Sequence, residues 1–163
     1  MIQEKYLIIY YSFTGNLESL IPMFKNQLDI DSVRLELVEN YPKAGKDFLK
    51  RYRDEESNNI LPRYKETKID LNKYETIFIA TPNWGNKVPP VIKSFLSNNL
   101  LTNKTIIPII SHGGNGEVGI IEEMISYLSG NKIKESLVFR QANLTEKELC
   151  SFLNKVLQRE VLI

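Results

Sequence analysis

The chain has 163 residues, 42% of them hydrophobic, enough for one domain with a sizeable core. Lysine plus arginine total 21 against 20 for aspartate plus glutamate, and the resulting net charge of +1 excludes the overall field of a nucleic-acid or anionic-membrane binder and favours small-molecule work. A single cysteine, Cys150, and a single histidine, His112, exclude an intramolecular disulfide and a structural zinc site and suit a reduced, cytoplasmic setting.

Residues 5–11 are apolar after Lys5, the pattern of a strand covered on both faces and therefore central in a parallel sheet. This strand runs into Ser12-Phe13-Thr14-Gly15-Asn16-Leu17. Leu17, Leu20, Ile21, Phe24 and Leu28 then recur at helical spacing, with Pro22 expected to kink the helix or delay its start. A hydroxyl-rich turn between strand and helix is a seat for phosphate. Ser12 and Thr14 supply side-chain donors, Gly15 lets the backbone come close, and Asn16 suits an N-cap ahead of amides that point at an anion. The loop carries no Lys or Arg, so it would hold phosphate through dipoles and neutral donors; the alternative is an N-capped surface turn.

Residues 32–38 alternate, Val33, Leu35 and Leu37 against Arg34 and Glu36, as in a half-exposed strand at the sheet edge. The stretch 41–68 is charged and punctuated by Pro42, Gly45 and Pro62; a helix over residues 46–56 is expected there, with its charges on a solvated face. Residues 74–80 read as a buried strand leading into Thr81-Pro82-Asn83-Trp84-Gly85-Asn86-Lys87. Pro89-Pro90 opens a helix to about residue 98, with Val91, Ile92, Phe95 and Leu96 as its apolar stripe. Residues 104–110 form another strand in which Pro108 calls for a bulge or an early end. Ser111-His112-Gly113-Gly114-Asn115-Gly116 follows it.

Val118, Ile121, Met124, Ile125 and Leu128 mark the next helix, with Gly130 expected as its C-cap. A last strand spans residues 133–139. The final helix opens on a capping box of Thr145 and Glu148 with a Leu144–Leu149 staple, and docks through Leu149, Phe152, Leu153, Val156 and Leu157. Cys150, beside that stripe, reads as a packing or surface thiol. No apolar run approaches membrane-spanning length and the N-terminus has no leader pattern, so a soluble protein without nucleic-acid or membrane partners is expected.

Five strands alternating with helices predict an α/β fold, a parallel sheet with helices on both faces, whose ligands bind beyond the carboxyl ends of the strands. The three special loops all fall at that end, after the first, third and fourth strands. They can converge on one flat, phosphorylated ligand. A phosphoacceptor receiver domain shares this architecture, but the third strand ends in Ala80-Thr81-Pro82 with no acceptor aspartate.

With these motifs in this order, the chain resembles the flavodoxin family along essentially its whole length, and most of all the shorter bacterial flavodoxin-like branch. Ser12-Phe13-Thr14-Gly15-Asn16-Leu17 matches the family's phosphate loop, Thr81-Pro82-Asn83-Trp84-Gly85-Asn86 its first flavin-flanking loop, and Ser111-His112-Gly113-Gly114 its second. The resemblance implies one three-layer, doubly wound domain over residues 1–163 with strand order 2-1-3-4-5. It also implies FMN as cofactor, electron transfer through the flavin, a separate redox partner, and a monomer or homodimer. Ser12, Thr14 and Asn16, with the amides of Gly15 and Leu17, would hold the phosphate. Trp84 would stack on the flavin ring, the alternative being a large core residue. Gly85 would let the adjacent peptide reorient with redox state, Asn83 and Asn86 would meet the flavin edge, and Gly113 and Gly114 would present amides to its pyrimidine end. His112 would couple proton uptake to reduction or stand as an exposed loop residue. No catalytic side chain and no metal are implied.

Three departures from the family pattern accompany this. Leu17 replaces the usual threonine, which would cost a donor to phosphate worth about 1.5–3 kcal/mol unless Ser19 or water compensates. The glycine loop has no aromatic residue to cover the second flavin face, and the chain is not strongly acidic. An FMN-dependent NAD(P)H:quinone or nitro reductase, and a non-redox binding module, are therefore the alternatives to an electron carrier.

Overall fold

Strand β1 (Tyr6–Tyr10) takes the interior place its apolar run predicts: Leu7, Ile9 and Tyr11 enter one buried cluster, Ile8 and Tyr10 another on the opposite face. The structure, a computed structural model, describes residues 4–43 and 45–158. β1 lies between β2 (Ile30–Arg34) and β3 (Thr76–Pro82), and β4 (Thr105–His112) pairs with β3, all in parallel. The fifth strand comes in two pieces, β5 (Lys132–Ile133) and β6 (Leu137–Arg140), both parallel to β4, so the sheet order is β2-β1-β3-β4-β5 with β6 continuing the β5 edge.

Two layers of helices cover this sheet. On one face α3 (Pro90–Asn98) and α4 (Ile120–Ser126) supply Val91, Ile92, Phe95, Ile120 and Met124 to a core with Leu7, Ile9, Ile77, Ile79, Ile106 and Ile110. On the other, α1 (Ile21–Gln27) and α5 (Glu146–Val156) bring Ile21, Phe24, Leu149, Leu153 and Val156 against Ile8, Phe78, Ile107 and Ile109. Each such aliphatic side chain, fully buried, contributes about 1.5–3 kcal/mol. The remaining helix, α2 (Lys46–Ser57), is amphipathic and packs Phe48 on the edge of the first core.

Several boundaries differ from the sequence expectation for definite reasons. Pro22 delays α1: a 3-10 turn, Glu18–Leu20, precedes it, and Pro22 sits in its first turn, where no amide partner is needed. β2 starts earlier than expected and leaves the sheet after Arg34. Leu35 and Leu37 stay buried because residues 36–38 pair instead with 63–65. Pro108 neither bulges nor ends β4. The amides of Lys132 and Lys134 donate to Lys104 and Ile106, so even-numbered residues of β4 face the β5 edge. There the missing Pro108 donor meets the break between β5 and β6. Ile106 is opposite Ile133 but Ile109 is opposite Leu137, so the extra residue lies in the neighbouring strand. α4 begins only at Ile120 and ends at Ser126, leaving Val118 62% exposed, and Tyr127, not Gly130, is its C-cap. The capping box of α5 is present in both directions, with Glu148 N–H on Thr145 Oγ1 and Thr145 N–H on Glu148 Oε2.

Candidate functional site

The carboxyl ends of β1, β3, β4 and β6 enclose a cavity of about 250 Å3 lined by Ser12, Phe13, Thr14, Asn16, Leu17, Pro82, Asn83, Trp84, Ser111, His112, Gly113 and Gln141. All three loops singled out in the sequence contribute to it. Gly15, Thr81, Gly85, Asn86 and Gly114 do not line it. Thr81 is wholly buried and donates to the Pro82 carbonyl at 3.0 Å, and Asn86 accepts from Asn115 Nδ2 at 3.0 Å.

The first loop is built on Ser12. Its buried Oγ accepts from the Glu18 amide at 3.2 Å and starts the 3-10 turn; Asn16 is not the N-cap, because Leu17 holds that place without a side-chain bond. The Asn16 carbonyl accepts from Ser19 Oγ at 2.7 Å, which commits Ser19 to the loop itself. Gly15, at φ 89°, makes a turn no other residue type makes cheaply. Leu17 is 3% exposed and belongs to the α1 core as well as to the cavity wall, so the departure at this position is an anchor of the loop. Glu18 would place a negative charge beside an incoming anion, but its carboxylate accepts from Tyr10 Oη at 2.6 Å and pairs with Arg34 at 3.3 Å. Burial, and then the Glu18 bond, push the Tyr10 phenol far up, so it remains a donor.

The second loop is a two-residue hairpin. Trp84 and Lys87 exchange backbone bonds of 3.2 and 3.0 Å across Gly85 (φ 59°) and Asn86 (φ 66°), the left-handed pair of a type I′ turn. Trp84 is half-buried, and Tyr11, Phe13, Tyr41, Phe48 and Tyr52 meet its ring nearly at right angles, with centroids 5.2–5.7 Å away. The indole is thus held edge-to-face by five neighbours while remaining part of the cavity wall. Asn83 donates to the carbonyls of Gly116 (2.8 Å) and Val118 (3.4 Å), joining the second loop to the third. Its Oδ1 is the one buried side-chain polar atom without a partner among the described residues.

In the third loop, His112 Nδ1 accepts from the Gly114 amide at 3.0 Å, so this nitrogen is occupied by the loop. Ser111 Oγ donates to the Gln141 carbonyl at 2.7 Å, and the Gln141 amide to the His112 carbonyl at 2.8 Å. Gln141, at φ 54°, was missed in the sequence; its only signal is its place just beyond the last strand. The role of α2 was missed too. The spacing of Phe48 and Tyr52 showed a helix but not that its apolar face closes on Trp84.

A flavodoxin sequence model matches residues 5–156. Three solved structures share the fold: a protein from Bacteroides eggerthii (22% identity, 94% of this chain and 98% of the other, TM-score 0.82), a flavoprotein in complex with FMN from Lactobacillus acidophilus (18%, 94% and 98%, 0.74), and a Fusobacterium nucleatum flavodoxin mutant bound to flavin mononucleotide (14%, 96% and 97%, 0.59). No curated protein sequence matches significantly.

Proposed function

The chain belongs to the flavodoxin family, and from that premise we propose that it binds FMN at the crest of the sheet and passes electrons to and from a partner protein. The observation that carries the reading is the convergence of the hydroxyl-rich loop, Trp84 and the His112-Gly113 segment on one cavity. FMN in two related solved structures supports it. The residues fit such a group. Ser12, Thr14 and Asn16, with the Leu17 amide, would form an uncharged phosphate seat from which Glu18 is held away by Tyr10 and Arg34, Gly15 shaping the turn from outside the cavity. The unpartnered Asn83 Oδ1 lacks a donor of the kind a ribityl hydroxyl or flavin ring N–H supplies.

When bound, FMN supplies the one- and two-electron chemistry. The chain orients it. Trp84 and Pro82 would bear on the flavin, and Ser111, His112 and Gly113 would offer it polar groups, since all five line the cavity. With Nδ1 accepting from the Gly114 amide, the imidazole hydrogen lies on Nε2, which is the His112 atom left to donate a hydrogen bond to a ligand.

A second reading, an NAD(P)H-dependent quinone or nitro reductase, is favoured by one feature: residues 111–116 contain no Phe, Tyr or Trp, and Gly113 and Gly114 are exposed. The two are separated by mixing FMN-loaded protein with NADPH and a quinone, with and without a flavodoxin reductase. The carrier reading expects oxidation of NADPH only with the reductase; steady turnover without it would establish the enzyme instead.

A further inference from the structure

Helix α2 holds the Trp84 hairpin at two points. Tyr52 Oη donates to the Trp84 carbonyl at 2.8 Å, and that same oxygen accepts the Lys87 amide at 3.0 Å. One turn further along the helix, Glu56, 13% exposed, pairs with Lys87 at 3.5 Å and with Lys93 of α3 at 3.0 Å. Lys93 also pairs with Glu123 of α4 at 3.0 Å, and Glu123 accepts the Val88 amide at 3.1 Å. Burial of Lys93 works against its charge, but the hydrogen bonds to Glu56 and Glu123 outweigh it and raise its pKa, so Lys93 stays charged. Both ends of the turn are therefore tied to the helix layer. Its middle is not. Among the described residues no group donates to the Gly85 carbonyl, and Gly85 has only the Tyr52 hydroxyl near the place a Cβ would take, at 3.7 Å.

We propose that Tyr52 is a positioning residue for the cofactor site: by fixing the Trp84 carbonyl it immobilises the indole and the Trp84–Gly85 peptide in the cavity wall. This rests on the FMN reading for its functional consequence, but not for its structural part. The geometry explains the Tyr at this place: the ring packs 5.5 Å from Trp84 and 6.2 Å from Phe48, as a Phe would, while the hydroxyl alone reaches the hairpin.

The test is Tyr52→Phe, which keeps the rings and removes the bond. In the cofactor-free chain, exchange of the Lys87 amide with solvent should accelerate about tenfold, the effect of losing one net hydrogen bond, while β3 amides such as that of Ile79 keep their protection. In the loaded protein the Kd for FMN should rise about tenfold and the separation of the two one-electron midpoint potentials should change. Unchanged Lys87 exchange, or unchanged potentials in a variant that has lost it, overturns the proposal. Should the wild-type chain bind no FMN, the functional reading fails while the exchange experiment still decides the clamp. If Tyr52→Phe does not fold, the wild-type chain decides: the Tyr52 hydroxyl proton is expected to be protected from exchange with solvent, and a freely exchanging hydroxyl overturns the proposal equally.

Discussion

Leu17 condenses the problem of reading a binding loop residue by residue. From the sequence it is a missing phosphate donor; in the structure its side chain is 3% exposed among Leu20, Ile21 and Phe24, holding the loop to α1. Changing Leu17→Thr places a hydroxyl in that apolar seat and removes two carbons. We expect it to lower stability by about 1–3 kcal/mol in urea unfolding while tightening FMN about tenfold through the added donor. A stable variant with unchanged affinity would show that this side chain faces neither the core nor the phosphate. The tyrosines make a second residue-scale case. Burial, with help from the Glu56 and Glu123 carboxylates, pushes Tyr52 up to about 12, and burial drives Tyr10, Tyr11 and Tyr41 further. Because the folded state favours the neutral phenols, the stability they contribute is complete below about pH 10, where unfolded tyrosine ionises, and is lost as pH rises through 12 and beyond. Burial and the bond to Asp31 push Tyr74 to about 12 as well, so phenolate absorbance followed against pH should show these five of the eight tyrosines ionising only as the fold melts. Ionisation of all eight near pH 10 with circular dichroism unchanged would contradict it.

At the scale of elements, what was legible in the sequence was periodic, and what was not depended on partners distant in the chain. The apolar runs of β1 and β3, the proline start of α3 and the Thr145–Glu148 capping box are local facts, and they appear as expected. Pro108 was read correctly as a lost donor, but the accommodating extra residue lies in the next strand, which periodicity within β4 cannot show. Val118 fits a helical stripe yet is exposed, because Gly119, at φ 74°, breaks the chain direction ahead of α4. That glycine also marks where the second and third loops meet: a Cβ there would lie 2.5 Å from the Asn86 carbonyl oxygen. Gly119→Ala combines a left-handed φ with this clash. We expect it to destabilise the chain by about 1–3 kcal/mol and to separate Asn86 from Asn115, seen as lost protection of the loop amides. Wild-type stability in this variant would mean that the two loops are not in contact. The candidate site was legible as three loops because each is a run of a few residues at a strand end. The aromatic surround of Trp84 was not, since Tyr11, Tyr41, Phe48 and Tyr52 come from three separate segments.

At the scale of the whole molecule, a parallel sheet covered on both faces leaves its strand ends as the place where backbone amides, hydroxyls and one tryptophan can gather without disturbing either core. None of the described helices is long and apolar enough to cross a membrane. A net charge of +1 gives a partner protein little long-range steering, so electron exchange would depend on short-range fit around the exposed glycine loop. Electron transfer by this chain requires that the cavity at that crest be a flavin site. The most direct test is a visible absorption spectrum of the freshly purified protein, followed, if no flavin band is present, by titration of the cofactor-free chain with FMN. A bound flavin is expected in the first case or saturable, one-to-one quenching of FMN fluorescence in the second, with Ser12→Ala weakening it about tenfold. Neither a flavin band nor any quenching would contradict electron transfer through FMN and leave this fold serving another ligand.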